Sequence, residues 1–278
     1  MTLREALRSA QQRIDRVDAR VLLGHVTHRD AAYVIAHAET PLEADLERAY
    51  TALVARRAAG EPVAYLVGER EFFGRRFTVT PATLIPRPET EHLVGVALER
   101  IPGDADCAVL DLGTGSGCIA VTLALERPQA RVTAVDNAPQ ALEVARANAA
   151  RLGATTVKLF RSDWYSALGE APFDVIVSNP PYVASGDPHL ARGDLRYEPP
   201  GALAGGGDGL ECIRLIVAGA PRYLAAGGWL VIEHGYDQAA RTRALLAEAG
   251  FEGVFSTNDL AGIERVSGAR LTLADPSR

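Results

Sequence analysis

The apolar run at residues 108–112 (Ala-Val-Leu-Asp-Leu) ends in three glycines, Gly113, Gly115 and Gly117, and apolar residues return with helical spacing at Ile119, Val121, Leu123 and Leu125. A short apolar run bounded in this way is a strand buried on both faces. Such a strand needs helices above and below it, which confines the chain to an α/β architecture. The same alternation recurs. Apolar runs at 132–135, 157–160, 174–177 and 229–232 are strands, and residues from Gly250-Phe251 onward supply further strand. Asn137 is placed to cap the helix after the second of these strands, with Ala141, Leu142, Val144, Ala145 and Ala149 as its inner face. Gly227-Gly228 reads as the turn before the fifth. The pattern predicts a parallel, doubly wound sheet.

Ahead of this region, Leu3, Leu7, Ile14, Val17, Val21 and Leu22 recur every three to four residues. A second amphipathic stretch follows Pro41 with Leu42, Leu46, Tyr50, Leu53 and Val54, and Gly60 and Pro62 stop it. Residues 1–60 are therefore expected to form a small helical domain. In 61–90, Phe72, Phe73, Phe77, Val79 and Leu84 alternate with polar residues around Gly74, which predicts a β-hairpin linker. Residues 91–278 make up the sheet domain.

A chain of 278 residues, 47% hydrophobic, can bury a substantial core. Its net charge of −6 argues against an enzyme that lives on duplex DNA, which needs a basic face. Cys107, Cys118 and Cys212 form no pair, and His25 and His28 have no third ligand near them, so no metal is expected. The first sixteen residues are too polar for a signal peptide and no apolar stretch reaches the length of a span, so the expected location is the cytoplasm, away from membranes.

The glycine turn reads Asp111-Leu-Gly-Thr114-Gly-Ser116-Gly117. The dinucleotide fingerprint is G-x-G-x-x-G; here the third glycine comes one residue early, and Asp111 would repel a pyrophosphate. S-adenosylmethionine carries a sulfonium and an ammonium and no phosphate, so it suits this turn better. Asp136, at the tip of the second strand, can accept from both ribose hydroxyls; the plainer alternative is a helix N-terminal acid. Asp163 and Trp164 follow the third strand, either as partners for an adenine or as a loop acid and a packed tryptophan.

The sharpest motif is Asn179-Pro180-Pro181-Tyr182, directly after the fourth strand. An amide nitrogen is a poor nucleophile because its lone pair is delocalised. It must be held with that lone pair aimed at the methyl carbon. The Asn179 side-chain oxygen and the Pro180 carbonyl can accept its two N–H groups. The prolines stiffen the corner, and Tyr182 offers a flat apolar face. No titratable base is required.

Together the glycine turn (Asp111, Gly113, Thr114, Gly115, Ser116, Gly117), Asp136 and 179–182 resemble the class I, seven-strand, Rossmann-like S-adenosylmethionine methyltransferases. The likeness narrows to the HemK/PrmC family of peptide chain release factor glutamine methyltransferases. It runs over almost the whole chain, through 68–74 (GEREFFG), 84–91 (LIPRPETE), 196–199 (RYEP), 207–210 (GDGL), 233–235 (EHG) and 259–266 (DLAGIERV). It implies S-adenosyl-L-methionine as cofactor, held by Gly113, Thr114, Gly115, Ser116, Gly117, Asp136, Trp164 and Asn179. It implies Asn179, Pro180 and Tyr182 as catalytic residues, and Asn179, Pro180, Pro181 and Tyr182 as the frame around the substrate glutamine. It implies, as partner, the Gly-Gly-Gln loop of class 1 release factors, with residues 1–60 as the recognition domain and 87–90 leaning over the methionine end of the cofactor. Asn137 and Ile263 depart from the family's common residues. The rival substrates are a glutamine of a ribosomal protein and the amino group of a DNA base. A nicotinamide-dependent oxidoreductase is the rival outside the methyltransferases.

Overall fold

The computed structural model describes residues 1–170, 172–191 and 193–272. They form two compact units, one of residues 1–69 with 191–197 and one of residues 70–190 with 198–272.

The first unit is helical: α1 (Leu3–Ala10), α2 (Arg16–Thr27), α3 (Ala31–Ala36), α4 (Ala44–Ala58) and α5 (Val63–Val67). Thr2 and Glu5 close a reciprocal capping box on α1, and the Asp15 carboxylate caps α2. That second cap resets the helical phase. The buried face of α2 is Ala19, Leu22, Leu23 and Val26, while Val17 and Val21 are 63% and 44% exposed. The expected stripe through Val17 and Val21 is thus incorrect, because it ran one period across a break. Tyr50 on α4 is buried and its hydroxyl donates to the Ala19 carbonyl at 2.9 Å, which satisfies the polar end of an otherwise apolar contact. Leu22 and Leu23 are fully buried, each contributing about 1.5–3 kcal/mol. Within this unit Arg57 bridges Asp18 and Asp194, and the Tyr197 hydroxyl donates to the Ala59 carbonyl at 2.9 Å.

The second unit opens with a hairpin, β1 (Glu69–Phe72) and β2 (Arg75–Thr78). Its turn places Phe73 and Gly74 at positive φ, as a tight two-residue hairpin requires. After α6 (Pro88–Leu98) come β3 (Cys107–Leu112), α7 (Cys118–Glu126), β4 (Ala130–Asp136), α8 (Pro139–Leu152), β5 (Lys158–Arg161), β6 (Phe173–Ser178), α9 (Glu211–Tyr223), β7 (Leu224–Glu233), α10 (Ala239–Glu248), β8 (Phe251–Asn258) and β9 (Glu264–Leu271). The sheet has seven strands in the order β5-β4-β3-β6-β7-β9-β8.

Alternate residues of β3 face opposite cores. Val109 packs with Leu93, Ile119 and Ala149 of α6, α7 and α8, and Leu110 and Leu112 pack with Ile213, Ile216 and Leu246 of α9 and α10. Both faces are covered, as expected for a strand without a polar side. Two expectations need correction. The sheet is not wholly parallel: β9 runs antiparallel to both β7 and β8. The five-residue connection between β8 and β9 can join only antiparallel neighbours, whereas a parallel pair needs a long crossover. Gly227-Gly228 lie inside β7 at an irregularity in its pairing with β6, with Gly227 at φ +77°, so they form a bulge rather than a preceding turn. No helix among the described residues is long and apolar enough to cross a membrane.

Candidate active site

The strand order reverses between β3 and β6: β4 and β5 lie to one side, β7 to the other. The crevice at the carboxyl ends of strands at such a switch point is where open α/β sheets bind ligands. The connections after β3, β4, β5 and β6 all reach it. A cleft of about 800 Å³, its open mouth included, lies here.

Gly113, Gly115, Asp136, Asp163, Trp164, Asn179 and Pro181 line this cleft. Thr114, Ser116 and Gly117 do not, and each has structural work behind the wall. The Thr114 hydroxyl donates to Asp111 at 2.6 Å. The Ser116 carbonyl accepts from Asn148 at 2.9 Å. Gly117, at φ +81°, starts α7, and a Cβ there would stand 3.1 Å from that of Ala145. Pro180 and Tyr182 are not among the residues that line the cleft. Asp111 is fully buried beneath the turn, and burial pushes its carboxyl up to about 7. It braces the turn from beneath and does not line the cleft. Sequence reasoning missed Ala82, Thr83 and Leu84 before α6, and Pro199, Gly201 and Ala202 beyond β6. The buried carboxylate of Glu198 joins these two segments by accepting from the Ile85 amide at 3.1 Å and from Arg87.

Asp136 is oriented by the backbone. Its two oxygens accept from the amides of Gly115 and Ala138, each at 2.9 Å. This carboxylate, and not Asn137, therefore serves the amides leading into α8, whose N-cap is Ala138. One lone pair on each oxygen remains for a ligand. Trp164 holds φ +46°, a region costing a non-glycine residue about 1–3 kcal/mol. The Ser162 hydroxyl maintains it, donating to the Trp164 carbonyl at 2.7 Å and accepting from the Ala167 amide at 3.0 Å. The strain turns the indole toward the cleft.

The 179–182 corner is clamped from behind. Ser178 donates to the Leu112 carbonyl at 2.7 Å. The Gln238 amide donates to the Tyr182 carbonyl at 2.9 Å, while its oxygen accepts from the Gly235 amide at 2.9 Å. The Gly205 amide donates to the Val183 carbonyl at 2.8 Å. The Asn179 amide group donates to the Thr90 hydroxyl at 3.0 Å. Two oxygens of the corner, Asn179 Oδ1 and the Pro180 carbonyl, have no hydrogen-bond partner among the described residues. The Tyr182 hydroxyl donates to Glu233 at 3.3 Å, and burial holds its pKa above the ordinary tyrosine value, so it remains neutral.

Comparison with known proteins agrees with this geometry. The family model "PrmC N-terminal domain" matches residues 2–68, and "Methyltransferase small domain" matches residues 94–194. A release factor glutamine methyltransferase of Burkholderia pseudomallei is 54% identical over 97% of this chain and 96% of its own. One from Xylella fastidiosa is 51% identical over 95% and 96%. Among solved structures, a Thermus thermophilus 16S rRNA N2 G1207 methyltransferase in complex with AdoMet and guanosine shares the fold, with TM-score 0.53, 23% identity and coverage of 73% of this chain and 49% of its own.

Proposed function

Because the chain belongs to the release factor glutamine methyltransferase family, we propose that its methyl acceptor is the glutamine of the Gly-Gly-Gln motif in class 1 peptide chain release factors, held at the 179–182 corner. S-adenosylmethionine is the cofactor, and when bound it supplies a methyl group on a positively charged sulfur. The residues present fit it. Among the described residues no cationic side chain lines the cleft, as a pyrophosphate would need, and the pre-oriented Asp136 carboxylate suits a ribose diol. In this reading Gly113 and Gly115 let the ligand reach the backbone, and Asp163 and Trp164 take the adenine end. Thr114, Ser116 and Gly117 hold the shape of the turn.

The observation that carries the proposal is the pair of free acceptors, Asn179 Oδ1 and the Pro180 carbonyl, on a corner fixed by two prolines and backed by Gln238. A primary amide presents two N–H donors in one plane, and two fixed oxygens grip both. This aligns the nitrogen lone pair with the methyl carbon and favours the positive charge that grows on nitrogen during transfer. Once methylated, the nitrogen loses a proton to water, so no buried base is needed. Tyr182 supports the corner from behind as a neutral phenol. The helical segment 1–60 is proposed as the part that recognises the release factor, joined by 61–90 to the methyltransferase domain 91–278. The cytoplasm, where release factors act, is the proposed location.

The decisive experiment incubates the enzyme with a class 1 release factor and S-adenosylmethionine and locates added mass by peptide mass spectrometry. One methyl on the loop glutamine is expected. Methyl on a ribosomal protein or on DNA, with none on the release factor, would replace this reading. A second expectation concerns the cofactor alone: Asp136→Ala should weaken its binding about 10–100-fold in calorimetry, the loss of charge-assisted hydrogen bonds of ~1.5–3 kcal/mol. Unchanged affinity would remove Asp136 from the site.

A further inference from the structure

His234 is fully buried and lies outside the lining of the cleft, yet both of its ring nitrogens are hydrogen-bonded. Nδ1 stands 2.9 Å from the Gly235 carbonyl oxygen, and Nε2 stands 2.8 Å from the Ser267 hydroxyl. The series continues from Ser267 to the Ser256 hydroxyl at 2.7 Å, and from Ser256 to Arg243 Nη1 at 2.6 Å. The same guanidinium nitrogen reaches Glu264 at 2.6 Å. The pairing of β8 with β9 sets the two serines directly opposite each other.

The two ends of this series decide every proton in it. A guanidinium has donors and no acceptor, and a backbone carbonyl accepts and cannot donate. Arg243 therefore donates to Ser256, Ser256 to Ser267, and Ser267 to Nε2. With Nε2 receiving a proton from outside, the ring carries its own proton on Nδ1 and aims it at the Gly235 carbonyl. The other tautomer would set Nε2–H against the Ser267 proton and a bare Nδ1 against a carbonyl oxygen. Burial disfavours the charged ring and holds its pKa below the ordinary histidine value; Arg243 and Arg265 act in the same direction, and Glu264 and the bond to Gly235 oppose them.

Gly235 is where this series meets the prolyl corner. Its carbonyl also accepts from the Gln238 amide at 3.0 Å, which closes a four-residue turn, and its own amide donates to Gln238 Oε1 at 2.9 Å. The tip of the turn, residues 236 and 237, is exposed, while Gly235 and Gln238 are buried. The Gln238 side chain has one possible orientation. Its oxygen faces a backbone donor, and its NH₂ group faces two backbone acceptors, the carbonyls of Tyr182 at 2.9 Å and Gly209 at 3.3 Å. The corner is thus pinned at its start by Ser178 on the Leu112 carbonyl and at its end by Gln238 on the Tyr182 carbonyl.

We propose that His234 is a positioning residue for methyl transfer: as the Nδ1–H tautomer set by Ser267, Ser256 and Arg243, it holds the 235–238 turn, whose glutamine fixes the end of the prolyl corner and with it the aim of the Asn179 and Pro180 oxygens. The proposal rests on those oxygens as acceptors of the substrate amide.

The test compares H234Q, H234N, Q238A and the double variant H234Q/Q238A in single-turnover methylation of a release factor, with N179A alongside. In H234N the NH₂ group takes the place of Nδ1 and can still donate to Gly235, whereas in H234Q the amide extends to the place of Nε2. H234Q should therefore slow transfer about 10–10²-fold, the scale of a small misplacement of a reacting group, with cofactor affinity unchanged in calorimetry. H234N should recover most of that loss. The double variant should be no slower than the worse single one, because both changes act on one turn. Nitrogen-15 NMR of the parent imidazole should show a neutral ring with its proton on Nδ1.

Full activity in H234Q, equal losses in H234N and H234Q, losses that multiply in the double variant, or a proton on Nε2 would each overturn the proposal. If the His234 variants do not fold, S267A decides it. That change takes the donor from Nε2 and leaves the ring in place, so transfer should slow several-fold while part of the ring population moves its proton to Nε2. Parent-like rates with an unchanged ring signal would overturn it. If N179A is active, the reading of the corner fails first. If N179A is inactive while H234Q matches the parent, only the role of His234 falls.

Discussion

Replacing Asn179 by alanine should lower kcat for glutamine methylation by about 10²–10³-fold while leaving cofactor affinity within a few-fold of the parent. The magnitude is that of removing one pre-oriented hydrogen-bonding group from a site whose charge develops in the transition state. The selectivity follows from the structure. Asp136 and the backbone at Gly113 and Gly115 form the side of the cleft read as the cofactor's, whereas the Asn179 oxygen is a free acceptor on the prolyl corner. Rapid-quench kinetics with a release factor, set beside cofactor titration, measures the two effects separately. Equal losses in both would show that Asn179 mainly holds the cofactor. Asn179→Asp tests the same point differently: it keeps an acceptor but cannot donate to Thr90, so it should be slow as well.

The second large effect is expected at Gly205, which touches neither reactant. A Cβ there would stand 2.5 Å from the Pro181 carbonyl oxygen, 2.7 Å from that of Gly209 and 2.8 Å from the Tyr182 Cα. All three are backbone atoms of packed segments and cannot swing aside as a side-chain tip can. Gly205→Ala should therefore displace the prolyl corner, with a stability loss of about 1–3 kcal/mol from overpacking and a fall in kcat of roughly tenfold or more. The neighbouring Gly207→Ala is the control. Its Cβ would meet only a Glu211 carboxylate oxygen, at 3.8 Å, so parent-like melting and kinetics are expected. Urea denaturation and steady-state rates of the two variants decide the matter. If both behave alike, rigidity of the corner is not set from this side.

The two glycines also show where sequence reasoning ends. Residues 205–207 read as a loop, which they are, but nothing in three adjacent glycines says that one lies against the prolyl corner and another faces water. The strands of the sheet were legible because a strand buried on both faces must be continuously apolar, as in β3 and β6. Strand from Gly250-Phe251 onward was legible too, but not its division into an antiparallel hairpin, since β8 is only half-buried and β9 mixes Glu264, Ser267, Gly268 and Arg270 into its run. In the helical unit, the Asp15 carboxylate starts a new helix, a break that the three-to-four spacing does not reveal. The glycine turn and Asn179-Pro-Pro-Tyr pointed to the cleft because their chemistry is local to a few adjacent residues. Thr90, Glu198, Glu233 and Gln238 meet it from four distant parts of the chain, and only the folded backbone brings them together.

Asn148 shows what such convergence does to motion. From the inner face of α8 its side chain accepts from the Thr78 amide and donates to the Thr78 carbonyl, at 2.8 and 2.9 Å, while the same NH₂ group reaches the Ser116 carbonyl at 2.9 Å. It thus occupies the seat a third strand would take beside the hairpin, and with its other hand holds the glycine turn. One side chain thereby ties the hairpin to the backbone of the glycine turn, so that displacing β2 would strain residue 116 as well.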